Sequence, residues 1–186
     1  MNSYRHSRMF HIGFCDVDFK DELKPSTLLS YLEEVACSSA EELGFGYPQI
    51  KPKGYAFMVT EIRCEFFRMP TLGERVKVVT WPTPPTFVVF GREYEVYSEE
   101  GEKLVSATSK WCLVDFESGK ILPSKTLSEQ DYSTYNTAKA YFGDQTKLNR
   151  LSFGEGEERY SMTVGNSEYD HNMHVNNTRY ADYCFN

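Results

Sequence analysis

The chain has 186 residues, 40% of them hydrophobic and 25% charged, with a formal net charge of −7. That is one ordinary domain, or one domain with part of a second, and the composition is not that of a disordered chain. Nucleic-acid binders and proteins of polyanionic membrane surfaces usually carry a basic face, so the acidic balance argues against both.

No run approaches the roughly 18 apolar residues of a membrane span. Residues 1–8 (MNSYRHSR) lack the apolar stretch of a secretory signal. A strand-like run begins by Met9, which leaves no room for a transit peptide. Cys15, Cys37, Cys64, Cys112 and Cys184 are odd in number, scattered and without a CxxC pair. They read as reduced thiols of a cytoplasmic protein, not as a disulfide frame or a zinc site.

Residues 9–14 (MFHIGF) read as a short strand and 16–24 as a polar turn. Pro25 and Ser26 open a helix, with Ser26 or Thr27 as its cap. Leu28, Leu32, Val35, Ala36, Ala40 and Leu43 recur at three- and four-residue steps as one apolar stripe, with Glu33, Glu34, Glu41 and Glu42 mostly off it. Gly44 ends the helix, because glycine takes the left-handed conformation needed just past the last turn. Strand runs follow at 57–67, 75–81, 87–97 and 103–114, with turns at Leu72-Gly73 and Glu99-Glu100-Gly101. Alternation puts Phe90, Tyr94 and Val96 on one face, with Arg92 intruding, and groups Val105, Ala107, Trp111 and Leu113 likewise. Aromatic residues, at 15% of the chain, suit such strands. Tight connections imply antiparallel pairing. A single long helix then has one economical place for its stripe, the concave face of a curled antiparallel sheet. That arrangement is the α+β hotdog fold, expected over residues 8–123 with the helix at 26–43 enclosed by five strands.

Residues 122–156 are polar and read as a connection, with 128–142 partly helical. The opening pattern then recurs: a strand at 158–164, a polar loop at 165–174, and a helix from Val175 with Asn176 as its cap. The expected organisation is a hotdog domain over 1–123, a linker over 124–156, and an incomplete second hotdog begun by 157–186. The stripe opened by Val175, Tyr180, Tyr183 and Cys184 has no following strands to cover it, so the chain reads as a fragment with weak or no activity alone.

Asp170, Asn172 and His174 stand at alternate positions in the segment YDHNMHVNNTRY, in a loop leading into that second helix. In an extended segment such side chains point one way. They would converge beside a helix N-terminus, where negative charge is favoured. Histidine is a general base near neutral pH, asparagine can donate to an oxyanion or orient water, and aspartate can hold or charge-stabilise the histidine. The same residues also suit a polar loop that only caps a helix. A metal site through Asp170, His171 and His174 is another alternative, although no HExxH pattern or further His or Cys accompanies it. So is a cysteine nucleophile, Cys112 or Cys184, although free cysteines are commonly buried hydrophobes.

The segment D-x-N-x-H-V-N-N-x-[KR]-Y, here Asp170 to Tyr180, closely resembles the signature of acyl-acyl-carrier-protein thioesterases of the plant-plastid and bacterial type. MFHIGFCDVD, LLSYLEEVACSSAEELGFG, TWPT at 80–83 and SKWCLVDFESGKILP at 109–123 are similar to the same family, in order along the chain. The resemblance implies two hotdog units in one chain and hydrolysis of the thioester between a fatty acyl chain and acyl carrier protein. It implies release of free fatty acids in fatty acid biosynthesis, without a metal or organic cofactor, in a bacterial cytoplasm. By position it makes Asp170, Asn172 and His174 the catalytic group and puts a further acidic residue on a later strand, beyond Asn186. Acyl carrier protein is the implied partner; a homodimer stays open, and nucleic acid and membrane are not expected.

Asp16 and Asp18 occupy the corresponding loop of the first unit, which lacks a histidine and reads as non-catalytic. His11 suits a sheet face. Trp81 and Trp111 suit core positions or an acyl tunnel. Arg63, Arg68, Arg75, Lys77 and Arg92 suit solvated sheet faces or a basic docking patch for an acidic carrier protein. The competing functions are a non-catalytic acyl-binding or regulatory hotdog protein, an inactive thioesterase fragment, and a hydroxyacyl dehydratase, whose motif would sit differently against the long helix.

Overall fold

The structure, a computed structural model, describes residues 4–127, 135–146 and 160–185. Alternating β-branched residues set the strand register. In β3 (Arg75–Pro82), Val78 lies opposite Val96 of β4 (Phe90–Ser98), and Val96 lies opposite Val105 of β5 (Lys103–Asp115). All three are essentially without solvent contact. β1 (His6–His11) pairs with β3, and β2 (Tyr55–Phe66) pairs with β5, giving the antiparallel order β1-β3-β4-β5-β2. Short β6 (Ile121–Leu122) pairs with the end of β5.

The helix stripe seats on the inner face of this sheet. In α1 (Pro25–Glu42), Leu28, Leu32, Val35 and Ala36 pack with Val76, Val78, Tyr94, Val96, Val105 and Ala107 in one buried cluster. Full burial of each large aliphatic or aromatic side chain there contributes roughly 1.5–3 kcal/mol. This helix laid in a curled antiparallel sheet is the hotdog fold expected from the pattern.

Local boundaries differ where partners override propensity. β1 starts at His6, not Met9, because Thr80 and Val79 of β3 extend the ladder to that residue. Neither Ser26 nor Thr27 caps α1; Lys24 is the N-cap, Pro25 fills the first turn, and Ser26 is buried within the helix. Proline there lacks an N–H that would have had no intrahelical partner anyway. Gly44 takes φ 80° and ends the helix as expected. A short helix, α2 (Tyr47–Ile50), and a 3-10 turn at Lys51–Lys53 follow, neither anticipated. β4 begins at Phe90, after a turn in which Thr86 N–H donates to Val89 O.

Residues 135–142 are not helical, and 128–134 lie outside the described residues. Tyr135 instead packs with Phe45, Ile50 and Leu113 beside the cavity, and residues 138–141 cover the outer sheet face. Trp81 Nε1 donates to Ala138 O at 2.9 Å, and Glu93 Oε2 accepts from the N–H groups of Ala140 and Tyr141 at 2.9 and 3.2 Å. Trp81 is therefore core, on the side away from α1. The strand expected at 158–164 is not formed over 160–164, and 158–159 lie outside the described residues. β1 has β3 beside it, whereas no strand among the described residues lies beside 160–164. The expected second helix is present as α3 (Asn177–Cys184), and Asn176 caps it by accepting from Thr178 N–H at 2.9 Å.

Candidate active site

The loop before α3 repeats the loop before α1 hydrogen bond by hydrogen bond. Gly13 N–H donates to Asp16 Oδ2, and Gly165 N–H donates to Glu168 Oε2. Asp18 N–H donates to Glu22 O, and Asp170 N–H donates to His174 O, both at 2.8 Å. Asp18 Oδ1 accepts from Lys20 N–H and Glu22 N–H at 2.8 and 3.2 Å. Asp170 Oδ1 accepts from Asn172 N–H and His174 N–H at 2.8 and 3.1 Å. Even the left-handed residues match: Asp21 at φ 61° and Met173 at φ 60°. Two loops of different sequence share one shape because a carboxylate at the first position ties down the same pair of backbone donors.

This turn changes how the three candidate side chains project. The segment is folded back between Asp170 and His174, so residues two apart do not share a face as they would in a strand. Asn172 and its neighbour His171 line an apolar cavity between α1 and the sheet, with about 120 Å³ of space that water can reach. The imidazole of His171 meets the ring of Tyr47 edge-on at 4.6 Å. His174 is exposed, stands 6.4 Å from the ring of Phe116, and is not among the lining residues of the cavity. Asp170 is half-buried at the base of the turn, its Oδ1 held by the two backbone donors.

α1 supplies the opposite wall through Glu33, Ala36, Cys37 and Ala40. Glu33 Oε2 accepts from Asn177 Nδ2 at 3.4 Å, linking the first helix to the start of α3. Burial raises the pKa of this carboxyl, the Asn177 bond opposes that, and Asp170 adds a further upward push. Cys37 is exposed on α1, yet desolvation by the protein packed around it, with the nearby Glu33 carboxylate, pushes its thiol up to about 11. At neutral pH Cys37 is thus a thiol and a poor nucleophile. Cys112 is buried on β5 and Cys184 is exposed at the end of α3. Among the described residues no three His, Cys, Asp or Glu side chains form a group suited to a metal ion.

Glu33, Cys37 and Tyr47 reach the cavity without a signal in the local pattern. Glu33 lies off the apolar stripe, and α2 was not visible as an element. Arg92 carries a signal in its place on the inner face of β4, although its charge alone suits a solvated face. It is 6% exposed and belongs to no surface patch. Arg63 and Arg68 are half-buried and Arg75 is exposed, and they engage Glu61, Glu74 and Glu99, respectively. Trp111 lines the cavity and Trp81 does not.

A family model described as the acyl-ACP thioesterase N-terminal domain matches residues 3–126. A chloroplastic palmitoyl-acyl carrier protein thioesterase of Gossypium hirsutum is 29% identical over 160 residues, 81% of this chain and 39% of that protein. The chain thus spans about two fifths of the length of the curated plant relatives it matches. Among solved structures, an acyl-ACP thioesterase from Bacteroides thetaiotaomicron superposes with a TM-score of 0.86 at 22% identity, covering 97% of this chain and 72% of that one. A 12:0-ACP thioesterase from Umbellularia californica gives 0.84 at 20% identity, covering 97% and 69%. These two likenesses establish the hotdog architecture.

Proposed function

The chain belongs to the acyl-ACP thioesterase family, and from that premise we propose that it hydrolyses a fatty acyl thioester of acyl carrier protein to the free acid, as a step of fatty acid biosynthesis. The observation that carries this reading is the meeting of the D-x-N-x-H loop with the apolar cavity: Asn172 lines it together with α1 and the inner sheet face. The acyl chain lies in the cavity, with its thioester at the Asn172 end. His174 takes a proton from water, whose oxygen attacks the thioester carbonyl. Asn172 and the N-terminal end of α3 favour the negative charge that develops on the carbonyl oxygen. The C–S bond then breaks, and the thiolate of the carrier arm takes the proton back from His174. Asp170 shapes the turn through the N–H groups of Asn172 and His174, a positioning role. Residues 1–123 act as the acyl-binding hotdog unit, 124–156 as a connection, and 157–186 as the part of a second unit that brings the motif.

Acyl carrier protein is the proposed partner. Among the described residues no helix is long and apolar enough to cross a membrane. The five free cysteines suit a reducing, cytoplasmic setting, and we infer that it is bacterial. Replacing His174 with alanine is expected to lower hydrolysis of long-chain acyl-carrier-protein at least about 100-fold, the usual loss with a general base. Turnover near the parent rate in that variant would refute the assignment. One observation favours a second reading, a non-catalytic acyl-binding protein: His174 stands against Phe116, outside the lining of the cavity. Hydrolysis by the unaltered chain, measured beside its mass in solution, separates the two and also reports pairing with a second copy.

A further inference from the structure

The cavity is not a plain hydrocarbon slot. Its wall includes Arg92, which the alternation of β4 turns inward between Phe90 and Tyr94. Only 6% of its surface is exposed. Nη1 donates to Ser39 Oγ of α1 at 2.9 Å and to Thr80 Oγ1 of β3 at 3.3 Å. Both partners are neutral hydroxyls. Among the described residues this guanidinium makes no ion pair, its side-chain hydrogen bonds are those two from Nη1, and Nε and Nη2 are not sealed from water. Arginine stays charged and offers five N–H donors in a fixed fork. A buried charge of this kind is strongly disfavoured unless hydrogen-bonded. What is left for the remaining donors is the space of the cavity itself.

Resting on the reading of this cavity as the acyl site, we propose that Arg92 is a specificity-determining residue that recognises an oxygen on the acyl chain. The substrate class is then acyl thioesters whose chain carries a hydroxyl or carboxylate away from the thioester, rather than plain saturated chains. Position along α1 sets the spacing. Glu33 marks the Asn172 end of the cavity, and Ser39 holds Arg92 six residues further along the helix. At the helical rise this is about 9 Å. The recognised oxygen therefore sits in the distal part of the chain, remote from the carbonyl under attack. Burial also lowers the affinity of this guanidinium for its proton, a penalty that an acceptor oxygen in the cavity relieves. Arg92 further ties α1 to β3, so its removal touches stability as well as recognition.

The test is binding, read by the fluorescence of Trp111 in the cavity wall. The probes are non-hydrolysable acyl-pantetheine amides with octanoyl and dodecanoyl chains, each unsubstituted, ω-hydroxylated or ω-carboxylated. The unaltered chain is expected to bind at least one ω-oxygenated probe about tenfold or more tightly than its unsubstituted counterpart, the effect of one charge-assisted hydrogen bond. The hydroxyl and carboxylate arms identify which oxygen is recognised. Arg92→Met should erase the preference, and Arg92→Lys should retain part of it, with folding of each checked by circular dichroism. Equal or tighter binding of the unsubstituted probes, no binding of any probe, or a preference that survives in folded Arg92→Met would overturn the proposal. The unaltered chain alone decides the first two outcomes, so a variant that fails to fold does not protect the idea. Hydrolysis of acyl-carrier-protein thioesters is assayed separately. Preference without hydrolysis would favour the non-catalytic acyl-binding reading and leave Arg92 in place, whereas hydrolysis without preference would do the reverse.

Discussion

The matched loops before α1 and α3 provide an internal control for the role of Asp170. Asp18 and Asp170 each hold two backbone N–H groups through one carboxylate oxygen, and only the second loop carries the Asn and His of the motif. Removing the carboxylate from the first loop, Asp18→Ala, leaves two donors to water in a half-buried turn that anchors Val17 and Leu23 in the core. Hydrogen bonds to charged groups contribute about 1.5–3 kcal/mol each, and partial exposure puts the pair at about 2–3 kcal/mol together. For a chain of this size that is a fall of roughly 4–12 °C in Tm. Asp170→Ala should instead act locally, speeding amide hydrogen exchange at Asn172 and His174 and lowering hydrolysis by letting Asn172 leave the cavity. Asp170→Asn keeps an oxygen acceptor in the same place. It should preserve both slow exchange and hydrolysis to within about tenfold, the margin of one lost charge-assisted increment. Exchange, urea denaturation and thioester hydrolysis measured on the four proteins make up the assay. If Asp170→Asn abolishes hydrolysis while exchange at residues 172 and 174 is unchanged, the carboxylate takes part in the chemistry and the positioning account is refuted.

Gly46 has an ordinary φ of −70°, but an added Cβ would lie 2.8 Å from both Cα and N of Glu41. Gly46→Ala should therefore destabilise by about 1–3 kcal/mol through overpacking at the cavity rim, seen as a lower urea midpoint; an unchanged midpoint would show that the rim yields freely. Hydrogen bonds from Arg68, ahead of the opposing effect of burial, hold the Glu74 carboxyl below its ordinary 4.5. A depressed carboxyl contributes stability that is complete above pH 4.5 and drains as pH falls below it. Glu74→Gln should flatten that acid limb in a pH series of unfolding midpoints, and a limb of unaltered slope would count against the pair. With its thiol pushed up to about 11, Cys37 should alkylate slowly at pH 7.5 and progressively faster toward pH 11, followed by peptide mass spectrometry. Rapid labelling at neutral pH would contradict its placement beside Glu33.

The elements of the hotdog were legible because their signals are local. The recurrence of Leu28, Leu32, Val35 and Ala36 is a property of one helix, and the alternation of Val76 and Val78, or of Tyr94 and Val96, is a property of one strand. The cap at Asn176 and the stop at Gly44 are likewise decided within a few residues. The start of β1 was not, because it depends on what β3 offers across the ladder. The shape of the loop from Asp170 to His174 was hidden for a related reason. Spacing by two suggests a shared face only if the backbone is extended, and here a carboxylate and a left-handed Met173 fold it into a turn. The lining of the cavity was least legible of all. Glu33 looks solvent-facing on its own helix until Asn177 of α3 is brought to 3.4 Å, and Arg92, which alternation already sets on the inner face of β4, is buried only because α1 closes over it. By itself the sequence determined the hotdog architecture and the D-x-N-x-H motif. Only the tertiary structure decided which charges enter the cavity, because burial is set by what packs on a residue from distant parts of the chain, and no local period records that.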